Sequence, residues 1–358
     1  MSPPGLPWNL RVEVWDAGLS AVRKVLRAAQ MREVSTPVCV SAVAIEPWIE
    51  PLTASANGRP ALLATSPELA MKQLLARGSG SIFQIAHVFR AAEIGARHSQ
   101  EFHLIEWYRT PGELREVIAD VEAIVDAVFT AVAPLSTEFW RSSGGTGPRA
   151  PDRWKRVELL GLMGETLGVE LEGDETSAVL EPLLGRVRSE SGVGLNPCVD
   201  EPESASERDP ELRLRLDQLE AWTELFSLWS DTYLDPWLAR LGPGVGVHMV
   251  DFPAPLAALA RHHSRARLAH RFESHVGGVE LANGYLELRD AAEQRRRFEC
   301  VAALRARHRL PTLPSPEAFL AELDALPDCS GAALGLDRLL ARACGCARLD
   351  QVSLAPSS

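Results

Sequence analysis

The chain has 358 residues, with 37 Lys plus Arg against 48 Asp plus Glu, and its formal net charge is −11. Hydrophobic residues make up 46% and charged residues 24%, proportions that exclude a chain disordered throughout. A chain this acidic lacks the cationic surface that general binding to nucleic acids or anionic membranes requires. The sequence shows no signal peptide and no apolar run of membrane-spanning length, so we expect a soluble cytoplasmic protein.

Six cysteines are spread along the chain, and only Cys344 and Cys346 are close in sequence. Their spacing matches neither a disulfide scaffold nor a zinc ribbon. We therefore expect structural free thiols in a reducing compartment.

The first half of the chain begins with a Pro-rich segment, and we expect residues 1–13 to form a flexible arm. Apolar residues at helical spacing then predict a helix over residues 14–29. In chain order, the remaining predictions are an extended segment at 34–41, a turn at 57–58, a strand at 60–65, a helix from 66 to 78, strands at 82–89 and 102–108, and a helix at 112–133. The polar loop between the last two strands indicates an antiparallel pair with a functional connection.

The second half of the chain is less regular. Residues 140–151 are rich in Gly, Ser and Pro and indicate a boundary, and we expect a divergent helical insertion at about 140–245 within one domain spanning 14–355. Further along, the predictions are strands at 269–276 and 279–283, a helix at 289–308 and a strand that leads into a helix at 328–339. There is no regular β-α alternation and no glycine-rich nucleotide motif of the common kinds. The fold class is therefore α+β, an antiparallel β-sheet flanked by helices.

The densest polar cluster lies around the strand at 102–108. Glu106 and Tyr108 are two residues apart, so they share one face of the strand, while Ile105 and Trp107 share the other. An acid beside a phenol could bind an ammonium group, although a solvated sheet face would give the same pattern.

Two further clusters lie in the C-terminal part. Glu280 and Glu287 flank the Asn283-Gly284 step, and two carboxylates in this arrangement suit Mg²⁺. Exposed acids on an ordinary hairpin would give the same sequence pattern. Farther on, Gly335 would let a ligand approach the backbone, and Arg338 in the first turn of a helix could face a phosphate.

Together these segments resemble the three signature motifs of the class II aminoacyl-tRNA synthetases. Residues 34–37 are similar to motif 1, residues 89–102 to motif 2 and residues 331–338 to motif 3. The strings at 65–72, 101–108, 271–273, 280–284 and 327–339 resemble the lysyl-tRNA synthetase group, and within it the elongation factor P–lysine ligases. The resemblance covers about residues 20–130 and 245–355. It implies a class II catalytic core that uses ATP and Mg²⁺ to activate lysine or (R)-β-lysine as an adenylate.

The resemblance also implies roles for individual residues. Catalysis would fall to Arg90, Glu287 and Arg338. Nucleotide binding would fall to Arg90, His98, Ser99, Phe102, Glu280, Leu281, Gly335 and Arg338, with Phe102 stacked on adenine. Amino-acid binding would fall to Ser66, Pro67, Glu68, Glu106, Tyr108, Asn283, Glu287 and Ala333. Magnesium would be held by Glu280 and Glu287.

The sequence departs from the family pattern at several of these positions. Ala92 stands where the family has the glutamate that recognises adenine, and we expect the neighbouring Glu93 to point elsewhere. Arg289 replaces a small polar residue and would bring a cation close to the ammonium pocket. Ala333, where lysyl-tRNA synthetases have glycine, favours a substrate of different shape, such as (R)-β-lysine.

Three functions therefore remain open: a ligase that modifies elongation factor P, a related ligase for another amino acid or acceptor, and a non-catalytic paralogue. The sequence has no room for an anticodon-binding barrel, so we expect no tRNA partner. Docking on an acidic acceptor would need a local arginine patch, for which residues 261–271 are the candidate. The resemblance also implies a homodimer.

Overall fold

The computed structural model describes residues 5–56, 58–142, 147–191, 209–264 and 267–355. The α-helices are α1 (Trp8–Ala28), α2 (Glu68–Ala76), α3 (Leu114–Ser142), α4 (Leu159–Leu167), α5 (Ser177–Ser191), α6 (Pro210–Trp229), α7 (Asp235–Leu241), α8 (Ala291–Arg307), α9 (Glu317–Leu320) and α10 (Leu336–Cys344). The strands are β1 (Arg32–Glu33), β2 (Cys39–Val40), β3 (Thr53–Ala56), β4 (Arg59–Leu63), β5 (Ile82–Phe89), β6 (Glu101–Arg109), β7 (Arg153–Glu158), β8 (Val245–Pro253), β9 (Leu268–Val276), β10 (Val279–Leu286) and β11 (Ser330–Gly335).

One large sheet organises these elements, in the strand order β1-β5-β6-β11-β10-β9-β8-β7. Its inner pairs are antiparallel, and only the edge pairs β1–β5 and β7–β8 are parallel. A small sheet of β2, β4 and β3 lies apart from it. The prediction of an α+β fold with an antiparallel sheet flanked by helices is confirmed.

Helices α1, α3 and α10 cover one face of the large sheet. The apolar stripe predicted for α3 is buried there, with Val117, Val121 and Val128 fully inaccessible. Ile105 and Trp107 of β6 join this core, and the indole of Trp107 donates to Asp120 of α3. Since these odd-numbered side chains are buried against helices, the even-numbered ones on β6 face the opposite side of the sheet, where polar residues gather.

The N-terminal arm is shorter than predicted, because α1 begins at Trp8 rather than at residue 14. Leu6 is buried, and its backbone N–H donates to the carbonyl of Gln351. The guanidinium of Arg11 donates to the carbonyls of Leu6 and Ser353. These contacts fix the start of α1 against the C-terminal segment, a tertiary effect that a Pro-rich composition does not reveal.

The segment at 140–245 is not purely helical, which corrects the prediction. β7 lies within it and pairs in parallel with β8 at the edge of the large sheet, where Trp154 stacks on His248. Helices α4 to α7 pack around β8 in a separate apolar cluster. The predicted linker at 190–210 falls largely on residues 192–208, which lie outside the described residues, as does Asn57 of the predicted turn.

In the described part of the chain, no helix is both long and apolar enough to cross a membrane. Cys39, Cys300, Cys329, Cys344 and Cys346 are all free thiols, as expected, and Cys198 lies outside the described residues.

Candidate active site

Two adjoining cavities open on the face of the large sheet that α1, α3 and α10 leave uncovered. The first, called here the arginine cavity, has a volume of about 200 Å³ and is lined by Arg90, Glu93, Arg97, His98, Ser99, Phe102, Leu104, Glu280, Leu281, Asn283, Ala333, Gly335, Asp337, Arg338 and Leu349. The second, the carboxylate cavity, has a volume of about 90 Å³ and is lined by Glu46, Ile49, Ser66, Glu68, Arg90, Leu104, Glu106, Tyr108, Asn283, Tyr285, Glu287, Gly331, Ala332 and Ala333.

These linings bring the predicted site residues together in two groups. Every residue predicted to bind nucleotide lines the arginine cavity, and every residue predicted to bind the amino acid lines the carboxylate cavity except Pro67. Pro67 caps the start of α2 and lines a different cavity beside Pro37 and Phe319.

The two cavities meet at four shared residues, Arg90, Leu104, Asn283 and Ala333. The alternation of β6 explains this arrangement, because Phe102, Leu104, Glu106 and Tyr108 follow one another along the open face. In the sheet, Ala333 lies opposite both Glu106 and Asn283. The predicted pairing of Glu106 and Tyr108 on one face is therefore confirmed.

Three arginines and one histidine line the arginine cavity, together with the acids Glu93, Glu280 and Asp337. Nε of Arg90 donates to the carbonyl of Thr65 at 3.3 Å, and its guanidinium lies 5.2 Å from the centre of the Phe102 ring. Arg338 leaves the first turn of α10 and donates to the carbonyls of Arg97 and Glu280, each at 3.2 Å. Two backbone carbonyls orient Arg338, and its Nη1 also lies 3.7 Å from the Glu280 carboxylate.

Glu93 lines the arginine cavity and faces two of its cations. Its carboxylate is 3.2 Å from Nε2 of His98 and 3.6 Å from Nη1 of Arg90. The short turn between Arg90 and Gly95 brings the side chain back toward these two cations. Ala92 lines a neighbouring cavity beside Glu93 and Ile94.

Glu106 is the central group of the carboxylate cavity, and it is 2% exposed. It accepts hydrogen bonds from Ser66 Oγ at 2.7 Å and from the Tyr108 hydroxyl at 2.6 Å. Burial raises the pKa of Glu106 to about 8, and the nearby charge of Glu68 adds to the rise. A buried carboxyl of this kind gains most from a cationic ligand.

Lys72 is a site residue that the sequence reasoning missed. Its Nζ lies 2.5 Å from carboxylate oxygens of both Glu68 and Glu287, and the Lys72 and Glu287 side chains are each 1% exposed. Burial alone would lower the pKa of Lys72, but the two carboxylates outweigh it and raise the pKa. The i,i+4 spacing from Glu68 on a predicted helix was the available signal.

The two acids predicted to hold magnesium line different cavities. Glu280 lines the arginine cavity, whereas Glu287, seven residues later in the chain, lines the carboxylate cavity. Seven residues of extended chain span roughly 20 Å. On the neighbouring strand β9, His275 lies opposite Glu280 and Glu273 lies opposite Asn283. Burial raises the pKa of Glu273 to about 7; Arg271 opposes this rise, and the charge of Glu280 adds to it.

Arg289 does not enter the carboxylate cavity, contrary to the prediction. It donates to the Leu326 carbonyl and pairs with Asp328 at 2.6 Å, and Asp328 also pairs with Arg261 at 2.7 Å. The expected arginine patch at 261–271 is likewise neutralised in its described part, because Arg267 pairs with Glu172 and Arg271 with Glu273.

Gly331 shows why motif 3 needs a small residue beside the carboxylate cavity. A Cβ at this position would lie 2.4 Å from the Tyr108 ring and 2.9 Å from Oε1 of Glu287. A side chain there would displace two of the predicted ammonium-binding groups. The lack of a side chain at Gly331 therefore leaves room for Tyr108 and Glu287 in the wall of the cavity.

Comparison with known proteins agrees with this geometry. Residues 10–358 match the family model described as tRNA synthetases class II (D, K and N). The chain therefore belongs to the class II aminoacyl-tRNA synthetase family.

Among curated proteins, the chain is similar to enzymes named elongation factor P–(R)-β-lysine ligase. It is 32% identical to that of Vibrio parahaemolyticus over 346 residues, which cover 94% of this chain and 93% of the relative. It is 35% identical to that of Haemophilus influenzae over 292 residues, covering 81% and 75%. It is 34% identical to that of Mannheimia succiniciproducens over 341 residues, covering 92% and 90%.

Proposed function

We propose that this protein is an ATP-dependent ligase that activates lysine or (R)-β-lysine as an adenylate and transfers it to a lysine of elongation factor P. The observation that carries this proposal is the junction of a cation-lined and a carboxylate-lined cavity at Arg90. An aminoacyl adenylate has matching chemistry, with a phosphate at its centre and ammonium groups at its amino-acid end. The similarity to named ligases of this kind supports the same reading.

The first step joins the two substrates at Arg90. An oxygen of the amino-acid carboxylate attacks the α-phosphorus of ATP, and the bond from that phosphorus to the bridging oxygen breaks to release pyrophosphate. Arg90 would neutralise both anions as they approach, and Arg338 with His98 would stabilise the leaving pyrophosphate. The phosphate groups of ATP would compete with the Glu93 carboxylate for Arg90 and His98. Glu93 would therefore release both side chains when ATP binds.

The second step forms an amide. The neutral ε-amine of the acceptor lysine attacks the carbonyl carbon of the adenylate, AMP leaves, and the nitrogen loses a proton. Asn283 and Ala333 lie where both cavities meet, so they would border the carbonyl group. Glu106, Tyr108, Glu68 and Glu287 would hold the ammonium groups away from this centre.

Magnesium would be held in the arginine cavity by Glu280, the one of the two predicted ligands that lines it. Mg²⁺ takes one or two protein carboxylates and fills its remaining positions with water and substrate phosphates. Among the described residues, no group of three or more Asp, Glu, His or Cys side chains is placed to hold a metal ion. A divalent cation bound beside Glu280 would neutralise phosphate charge.

Partners and compartment follow from the same proposal. A translation factor and ATP meet in the cytoplasm, so we place the reaction there. The acidic net charge of −11 supports a protein acceptor rather than a tRNA. By family resemblance we also propose a homodimer formed through the segment that contains residues 34–37.

A related ligase for a different amino acid or acceptor is the second candidate. A third cavity of about 530 Å³ lies between α6 and α8 and shares Glu46, Asn283 and Tyr285 with the carboxylate cavity. Since α6 belongs to the divergent insertion, this space could take a larger substrate than β-lysine.

Exchange of label between ATP and pyrophosphate, run with a panel of amino acids, tests these proposals. We expect exchange with lysine or (R)-β-lysine. Exchange with a different amino acid alone would select the second candidate, and no exchange with any of them would leave a non-catalytic paralogue.

The pKa of Glu106 predicts a pH dependence for amino-acid binding. The pKa of Glu106 is raised to about 8, so below that pH the carboxyl holds a proton and does not attract an ammonium group. Binding of an ammonium ligand at neutral pH must therefore expel that proton. We expect the KM for the amino acid to fall as the pH rises from about 6 to about 8, and calorimetry in buffers of different ionisation heat to show proton release. A KM that stays constant over this range would contradict the assignment.

A further inference from the structure

Arg305 of α8 is a buried arginine that neither cavity contains. Its side chain is 2% exposed, and it donates to the carbonyls of Glu46, Pro47 and Ile49 at 3.0, 3.3 and 3.2 Å. The other terminal nitrogen donates to the Glu50 carboxylate at 2.5 Å and to the Pro311 carbonyl at 3.0 Å. Four of these five acceptors belong to one short segment, residues 46–50.

Segment 46–50 forms part of the wall of the carboxylate cavity. It lies between β2 and β3 and contains no regular secondary structure. Glu46 and Ile49 line the cavity together with Glu68 and Glu106. On its other side, the Glu50 carbonyl accepts from the backbone N–H of Ala91, the residue that follows Arg90.

The acceptors of Arg305 account for the position of this segment. Irregular chain has no ladder to satisfy its carbonyls, so ordering it costs conformational entropy that only specific partners can offset. A single guanidinium supplies several donors in a fixed plane and binds several of these oxygens at once. The ammonium group of a lysine carries the same charge but lacks this planar set of donors. The donor geometry of Arg305, and not only its positive charge, therefore holds the segment.

We propose that Arg305 is a positioning residue for the amino acid: it holds segment 46–50 against the carboxylate cavity and thereby places Glu46 as a further carboxylate facing the substrate ammonium groups. This inference rests on the proposed function of that cavity. Glu46 is near Arg90, Glu68 and Lys72, and burial raises its pKa, as for the other acids of the cavity. Arg305 thus selects substrates with two amino groups without touching them.

Arg305→Lys tests the proposal in the full-length protein, with Arg307→Lys as the matched control. Arg307 lies two residues on in α8 and pairs with Asp217 and Glu220 of α6 instead of segment 46–50. We expect Arg305→Lys to raise the KM for the amino acid about tenfold in the exchange assay, with the KM for ATP changed by less than about twofold. Hydrogen exchange of the peptide covering residues 42–52 should become faster in Arg305→Lys alone.

Glu50→Gln provides a second variant if Arg305→Lys does not fold. It removes one anchor and leaves the guanidinium, so we expect a rise of about threefold in the same KM. A folded Arg305→Lys or Glu50→Gln protein with an unchanged KM for the amino acid and unchanged exchange of segment 46–50 would overturn the inference. If the wild-type protein supports no exchange with any amino acid, the proposed function itself fails, and this inference fails with it.

Discussion

Replacing Arg338 with alanine is expected to lower the rate of ATP–pyrophosphate exchange by about 10³-fold, without loss of the fold. Arg338 lines the arginine cavity beside Glu280, and its donors are oriented by two backbone carbonyls. Its side chain is 25% exposed, so alanine removes a phosphate-binding charge and little buried packing.

The control for this prediction is Arg348→Ala. Arg348 lies ten residues farther along and forms an exposed ion pair with Asp350 at 2.9 Å, a kind of pair that contributes little to stability. We expect unchanged exchange in this variant. Full activity of a folded Arg338→Ala protein would show that the motif 3 assignment is wrong.

Replacing Glu106 with glutamine is expected to raise the KM for the amino acid about 100-fold while leaving ATP binding close to that of the wild type. Glutamine keeps the size of the side chain and one oxygen that can accept the hydrogen bond from Ser66 or Tyr108. The change therefore removes the negative charge that an ammonium group would meet inside the cavity. The fall of KM between about pH 6 and 8 should also disappear.

Glu101→Gln is the matched control on the same strand. Glu101 lies at the exposed start of β6 and pairs with His87 at 3.0 Å, outside both cavities. We expect it to leave both KM values unchanged. If Glu106→Gln behaved like Glu101→Gln, the carboxylate cavity would not be the ammonium site.

The predictions that succeeded follow from local patterns. Strand alternation is strict, so placing β6 at 102–108 was enough to put Glu106 and Tyr108 together and Trp107 in the core. The apolar stripe of α3 and the glycine-rich entry to α10 are local signals of the same kind. The family resemblance then supplied roles that spacing alone leaves open.

The predictions that failed depend on contacts between distant segments. Spacing along one strand does not reveal that Lys72 of α2 pairs with Glu287 or that His275 of β9 lies opposite Glu280. Glu46 lies in irregular chain, for which no periodicity exists, and its place is set by Arg305, 259 residues away. Arg289 was predicted to bring a cation close to the ammonium pocket, but it pairs with Asp328 instead.

Transfer of the activated amino acid to purified elongation factor P tests the central claim most directly. The protein, ATP, Mg²⁺ and either lysine or (R)-β-lysine are incubated with elongation factor P, and the product is analysed by intact-mass and peptide mass spectrometry. We predict a mass increase of one lysyl or β-lysyl residue on a single lysine, absent in Arg338→Ala and with ATP omitted. Exchange activity with either amino acid but no mass increase on elongation factor P would contradict the account.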